Sequence, residues 1–231
     1  MSEATELLDY LKDLGFDTVR VPVTVEAEAA VAPAPPLELS VDASERAERL
    51  AGIETVAQEC TACKLCERRN SVVFGNGHPD AQLMFIGEGP GAQEDRQGLP
   101  FVGPAGELLT KIIQAIGLSR EQVYIANMVK CRPPGNRDPS FDEVAACRNF
   151  LDSQIDLIQP KVIVMLGRIA AQSLFETNTP IGRMRGEWKE FRGRDAMVTY
   201  HPAALLRNAS LKRPVWEDMQ RVRDRLKAYG A

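Results

Sequence analysis

Three closely spaced glycines, three carboxylates and an aromatic fall within residues 87–106, which read GEGPGAQEDRQGLPFVGPAG. Gly87, Gly89 and Gly91 allow the backbone to approach a ligand closely, and Pro90 stiffens the turn without supplying an N–H. Such a loop presents converging backbone donors. Glu88, Glu94 and Asp95 set carboxylates beside them and Phe101 adds a flat apolar face, a combination that suits a planar heterocycle. The run lacks the Lys-Ser/Thr ending of a phosphate loop, and its G-x-G-x-G spacing differs from the dinucleotide fingerprint, which argues against nucleotide hydrolysis.

A second constellation is made of cysteines. Cys60 and Cys63 form a C-x2-C pair, and Cys131 and Cys147 follow far downstream. A pair plus two distant cysteines is the ligand set of structural zinc or of an iron–sulfur cluster, and counting thiolates does not separate the two. Cys66 makes five, so one is surplus and the spacing C-x2-C-x2-C leaves open which. His201 is the third feature. It opens HPAALLRN, where an imidazole, the apolar pair Leu205–Leu206 and the guanidinium of Arg207 suit an enzyme that extrudes a base from nucleic acid. His78, in the polar turn NGHPD, reads as a surface residue.

These groups need elements to hold them. Apolar segments at 82–86, 123–129, 162–166 and 196–200 read as strands, and helical patterns separate most of them, which implies a parallel sheet covered on both faces. Leu108, Leu109, Ile112, Ile113 and Ile116 mark the buried stripe of one helix, ended by Gly117. Ser140 and Glu143 form a capping box for another that stops before Pro160. Further helices are expected at 43–58, 168–176 and 214–228. Ligands of open α/β sheets bind beyond the carboxyl ends of the strands; the glycine loop, Asn127 and His201 all lie there.

Taken together, GEGPGAQED, GLPFVGPAG, NMVKCRPPGNRDP and HPAALLRN, in this order and with this cysteine spacing, closely resemble the family 4 uracil-DNA glycosylases over roughly residues 55–228. The resemblance implies an α/β fold, a three-layer α/β/α sandwich around a central four-stranded parallel sheet. It also implies a 4Fe-4S cluster on Cys60, Cys63, Cys131 and Cys147, with Cys66 as the extra thiol, and a substrate of uracil-containing DNA, single- or double-stranded. By the family pattern His201 donates to uracil O2, Asn127 reads the O4/N3–H edge, Phe101 stacks on the ring, and Gly89 belongs to the uracil pocket. Arg207 meets a phosphate and Leu205 or Leu206 fills the gap left by the flipped nucleotide. Some uracil glycosylases carry aspartate where this chain has Gly89, so water activation falls to Glu88, with Glu94 supporting the loop, or to backbone groups. The cluster is expected to staple the loops of Cys60 and Cys131 and to present Lys130 and Arg132 to DNA. Ala209 stands where the family often has proline. A non-catalytic iron–sulfur module that binds nucleic acid would share many of these features but release no base, and a superfamily relative could act on another deaminated base.

Composition sets the remaining bounds. The 231 residues carry a formal net charge of −4, but residues 1–50 hold 4 Lys/Arg against 11 Asp/Glu, leaving 24 against 21 beyond them. The folded part is therefore mildly basic, as phosphate contact requires. Residues 1–42, with a leucine-faced short helix and an Ala/Pro-rich linker, are expected to be a mostly disordered extension and a possible docking segment for a protein partner. Residues 43–231 are expected to form the catalytic domain. No run is long and apolar enough to span a bilayer, and MSEATELLDY lacks a basic start and an apolar core. A cytoplasmic monomer without membrane attachment is expected.

Overall fold

The computed structural model describes residues 42–230; the leucine-faced helix expected near the N-terminus lies outside them. The architecture follows from four short segments, LMFIG, YIAN, VIVML and the apolar half of RDAMVT, whose residues are almost all buried. A strand apolar on both faces must be covered on both faces. These segments are β2 (Leu83–Gly87), β3 (Tyr124–Asn127), β4 (Val162–Leu166) and β6 (Arg194–Thr199), and they pair in parallel in the order β3-β2-β4-β6.

Because side chains alternate across a pleated strand, the sheet divides its apolar residues between two cores. Met84, Ile86, Tyr124, Ala126, Ile163, Met165, Ala196 and Val198 enter one. Helices α1 (Ala43–Gln58), α4 (Phe141–Ile158) and α5 (Arg168–Leu174) cover it. Leu83, Phe85, Ile125, Val162, Val164 and Met197 enter the other, beneath α3 (Pro104–Ala115), α7 (Pro202–Arg207) and α8 (Lys212–Ala228). The result is the expected three-layer α/β/α sandwich. Arg46 on α1 donates to the carbonyls of Leu157 and Ile158, which closes the C-terminal end of α4.

The sheet has six strands rather than four. Edge strands β1 (Asn76–Gly77) and β5 (Trp188–Phe191) pair antiparallel with β3 and β6. Strand β5 turns into β6 through Arg192 and Gly193, both at positive φ (53° and 74°), the geometry of a two-residue hairpin. Three short helices lacked a clear periodic signal: α2 (Ala92–Gln97), α6 (Ile181–Met184) and α7.

From β2 the chain passes through α2 and α3 to β3 on one side. From β3 it returns through α4, on the opposite face, to β4 on the other side of β2. The chain therefore leaves the carboxyl ends of β2 and β4 toward opposite faces, and a crevice opens between them, the place where open α/β sheets bind ligands.

One wall of that crevice is braced by the start of α4. The Ser140 hydroxyl accepts from the Glu143 N–H (3.4 Å), and Glu143 Oε2 accepts from the Ser140 N–H (2.8 Å). Arg137 forks onto both Glu143 oxygens at 2.8 and 2.6 Å. The Arg137 guanidinium, helped by the Ser140 N–H and opposed by burial, holds the Glu143 carboxyl down at about 2. A depressed carboxyl contributes stability above its ordinary value and loses it as pH falls through the folded value. The urea midpoint of wild type should therefore exceed that of Glu143→Gln above about pH 5, and the difference should close as pH falls toward 2. A difference independent of pH would refute this assignment.

Candidate active site

A cleft of about 750 Å³ occupies the crevice. Its walls come from the loop after β2, the end of β3, the residues after β4 and the segment after β6, so the glycine loop, Asn127 and the His201 segment meet there. Glu88, Gly89, Glu94, Phe101, Asn127, His201 and Arg207 line it.

Phe101 is held in a backbone conformation rare for a side-chain-bearing residue (φ 52°) and is buried. Arg120 secures it: Nη1 donates to the Phe101 carbonyl (2.9 Å) and Nη2 to the Pro100 carbonyl (2.6 Å). Glu94 Oε1 accepts from the N–H groups of Val102 (3.0 Å) and Gly103 (2.9 Å), the two residues after Phe101. Through that oxygen Glu94 ties down the loop that carries Phe101. Two glycines make the arrangement possible. A Cβ at Gly106 would meet the Phe101 carbonyl oxygen at 1.9 Å, and one at Gly87 would meet Asn127 Oδ1 at 2.5 Å and the Phe101 ring at 2.6 Å. Gly87 thus lets ring and amide close on the same space.

Asn127 is 1% exposed, and its Oδ1 is the one buried side-chain polar atom among the described residues that lacks a hydrogen-bond partner. Such an atom costs roughly 1–3 kcal/mol unless something pairs with it. Lining the cleft, it is an acceptor awaiting a donor on a ligand.

The His201 ring lies 5.5 Å from that of Phe101, tilted by 31°. Its Nδ1 accepts from the Ala203 N–H (3.1 Å) at the start of α7, which places the imidazole proton on Nε2. Burial, reinforced by the nearby Arg207 charge and opposed by Glu94, pushes its pKa down to about 4. His201 is thus a neutral donor at physiological pH. The strand end beneath it is locked by Asp218, which is buried: Thr199 Oγ1 donates to Oδ2 (2.6 Å), and Arg185 reaches Oδ1 at 2.6 Å while its guanidinium lies 5.7 Å from the Tyr200 ring.

Glu88 takes the opposite shift. Burial, with the Asp138 charge adding and Arg168 opposing, pushes its carboxyl up to about 7. Asp138 and Arg168 line the cleft and form an ion pair, roles the sequence did not disclose although both stand beside recognised features. A Cβ at Gly89 would come 2.7 Å from Val129 Cγ2, so this position has no room for the aspartate some uracil glycosylases carry.

Three expectations change. Leu205 is buried in the core beneath α7, so only Leu206, 54% exposed, remains available to nucleic acid. Adjacent helical residues point to different faces, and α7 needs one of them as its core contact. Asp95 is buried away from the ligand, its Oδ1 accepting from the Asn70 N–H at 2.9 Å. Lys130 is 1% exposed and cannot present charge to DNA.

The cysteines gather elsewhere. All five are free thiols and line one small pocket with Ala57, Arg69, Lys130 and Phe150. Arg69 donates to Cys131 Sγ (3.4 Å) and the Lys130 N–H to Cys147 Sγ (3.2 Å). Burial pushes the Cys131 thiol up to about 11 against the pull of Arg69. Among the described residues no three Cys, His, Asp or Glu groups converge closely enough to hold a single metal ion.

An aromatic face, an amide with a free acceptor and a neutral imidazole at the switch point of a parallel sheet define a protein that grips a planar, hydrogen-bonding ring. Comparison with known proteins agrees. Residues 74–220 match the model of the uracil DNA glycosylase superfamily. A type-4 uracil-DNA glycosylase of Sulfurisphaera tokodaii is 46% identical over 185 residues, covering 74% of this chain and 84% of the relative. Those of Thermotoga maritima (44% over 191 residues, 80% and 98%) and Saccharolobus solfataricus (46% over 178 residues, 73% and 82%) are similarly close. The chain belongs to the type-4 uracil-DNA glycosylases of that superfamily.

The tautomer and charge of His201 can be checked directly. Nuclear magnetic resonance of ¹⁵N-labelled histidine should show an Nε2-protonated ring titrating near 4. Titration near the unperturbed value of about 6.5 would contradict the burial argument.

Proposed function

We propose that this protein removes uracil from DNA by hydrolysing the bond between the base and deoxyribose, leaving an abasic site for base excision repair. The observation that carries the reading is the unpartnered Asn127 Oδ1, buried beside the Phe101 ring and the neutral His201. Uracil offers N3–H as a donor to that oxygen and O4 as an acceptor for the amide nitrogen. Cytosine reverses both groups and would leave buried polar atoms unpaired, an error penalised far more than a missing methyl. The pocket lies deep in the cleft, so the nucleotide must leave the stack to reach it. Arg207 and exposed Leu206 at the rim suit a phosphate contact and a wedge behind the flipped base.

In the reaction, water oxygen bonds to C1′ as the C1′–N1 bond breaks, and the electron pair stays on the base. Its negative charge spreads onto O2 and O4. His201 Nε2–H donates to O2 as that charge grows, and the neutral imidazole stabilises it by a hydrogen bond while keeping its proton. Glu88, partly ionised at neutral pH, takes the proton of the attacking water.

The thiol pocket fits a 4Fe-4S cluster on Cys60, Cys63, Cys131 and Cys147. Its five thiols are free and line one chamber, which supplies the four thiolates such a cluster takes. When bound, the cluster cross-links the 60–66 segment, the residues after β3 and α4; hydrolysis needs no electron from it. Reduced thiols suit the cytoplasm. Among the described residues no helix is long and apolar enough to cross a membrane.

Full-length protein should release uracil from a single-stranded oligonucleotide in the presence of chelator, read as alkali-labile sites. His201→Ser should be slower by about 100- to 1,000-fold. Binding without base release would favour a non-catalytic module. If Glu88 is the base, it must be deprotonated, so kcat should rise with pH through about 7, its folded value. Glu88→Gln should lose that dependence along with about 100-fold or more of the rate. A variant with nearly unchanged rate would return the water to backbone groups.

A further inference from the structure

The mechanism above makes no use of Lys130, the one fully buried lysine among the described residues. Lys130 is 1% exposed, and its ammonium donates to the Asn127 carbonyl (3.0 Å) and to Gln154 Oε1 (2.6 Å), 5.7 Å from the centre of the Phe74 ring. No carboxylate is among these partners. Gln154 is itself fully buried, and its amide nitrogen donates to the Phe74 carbonyl (2.9 Å) and the Tyr124 hydroxyl (3.2 Å), so it has little freedom to move. Burying an ammonium costs several kcal/mol after relaxation. A methionine would fill similar space without that cost, so packing alone does not account for a lysine here.

Its placement does. Asn127 ends β3, and its side-chain oxygen has no bond to hold it. What fixes the residue is backbone: the Met128 N–H bonds the Gly87 carbonyl (2.9 Å) on the sheet side, and the Lys130 ammonium holds the Asn127 carbonyl. The Lys130 main chain is pinned in turn, its carbonyl accepting from the Val73 N–H (2.8 Å) and its N–H reaching Cys147 Sγ (3.2 Å).

We infer that Lys130 is a positioning residue: it holds the Asn127 peptide so that the amide reads uracil, and its bond to Cys147 ties that reading to the thiol pocket. The inference rests on the functional reading above, and it gives the cysteine pocket a consequence at the base pocket besides stability. A misplacement of about 1 Å in a recognition group can cost on the order of 100-fold.

The test uses full-length Lys130→Met, with cluster content measured by visible absorbance and iron analysis. Calorimetry should show free uracil binding weakened by roughly tenfold or more, and kcat on a uracil oligonucleotide should fall by about 10- to 100-fold. KM and affinity for abasic DNA should stay within about twofold, because phosphate contacts are untouched. Lys130→Arg, which can still donate to the carbonyl, should recover part of the loss. A cluster-loaded Lys130→Met that binds uracil and cleaves as wild type does overturns the inference. Should that variant fail to load, Gln154→Met, about two turns along α4 from Cys147, carries the same readouts, and an unchanged kcat and uracil affinity there overturn it equally. A wild type that releases no uracil defeats the functional reading and this inference together; a cleaving wild type beside an unaffected variant defeats this inference alone.

Discussion

An amide oxygen buried without a partner is the constraint around which this site is built. Asn127 Oδ1 lies in a space from which its own chain supplies no donor, at a cost that folding tolerates only where a ligand repays it. The surroundings follow from keeping that oxygen both buried and reachable. Gly87 has no side chain because the ring of Phe101 and the amide occupy the place one would take. Phe101 sits at a positive φ, and Arg120 and Glu94 hold its peptide and those that follow.

The electrostatics are set by the same enclosure. Burial disfavours charge of either sign, so one environment drives an imidazole and a carboxyl toward neutrality from opposite directions. His201 becomes a donor that carries no charge in the resting state, and Glu88 becomes a carboxyl balanced between its two forms. Charge is instead concentrated at the rim, where Arg207 is exposed and where Arg168 pairs with Asp138. An anion formed inside such a pocket meets fixed dipoles and little water, the setting in which hydrogen-bond donors are worth most.

The cysteine pocket and the base cleft are separate chambers joined by very few residues. The segment from Asn127 to Cys131 passes from one to the other within four peptide bonds, with Lys130 turned inward between them. That shortness is the physical basis for coupling between the thiol pocket and the base cleft. It also explains why NMVKCRPPGNRDP is a compact signature: buried Asn127, Cys131 of the thiol pocket and the wall residues Arg137 and Asp138 follow one another as the chain rounds the end of the sheet.

Much of this was legible in the sequence for simple physical reasons. Strands covered on both faces read as apolar runs, helices as stripes, and capping boxes as Ser140 with Glu143, because each pattern reflects a local periodicity or a local bond. The glycine loop, the cysteine set and the HPAALLRN segment stood out by residue type and spacing, and their order carried the family resemblance. The edge strands did not show, since β5 is four residues of mixed burial held by a hairpin, with no run long enough to register. Other decisions belonged to the tertiary structure alone. Which of Leu205 and Leu206 faces outward depends on where α7 meets the core. Whether Glu94 holds a loop or a water depends on two N–H groups eight and nine residues away. Lys130 reads as a surface cation beside other basic residues until Gln154, brought from α4, encloses it. Residue type and spacing determine what chemistry a chain can do; burial and partners from distant segments, which no local pattern encodes, decide which of its groups are placed to do it.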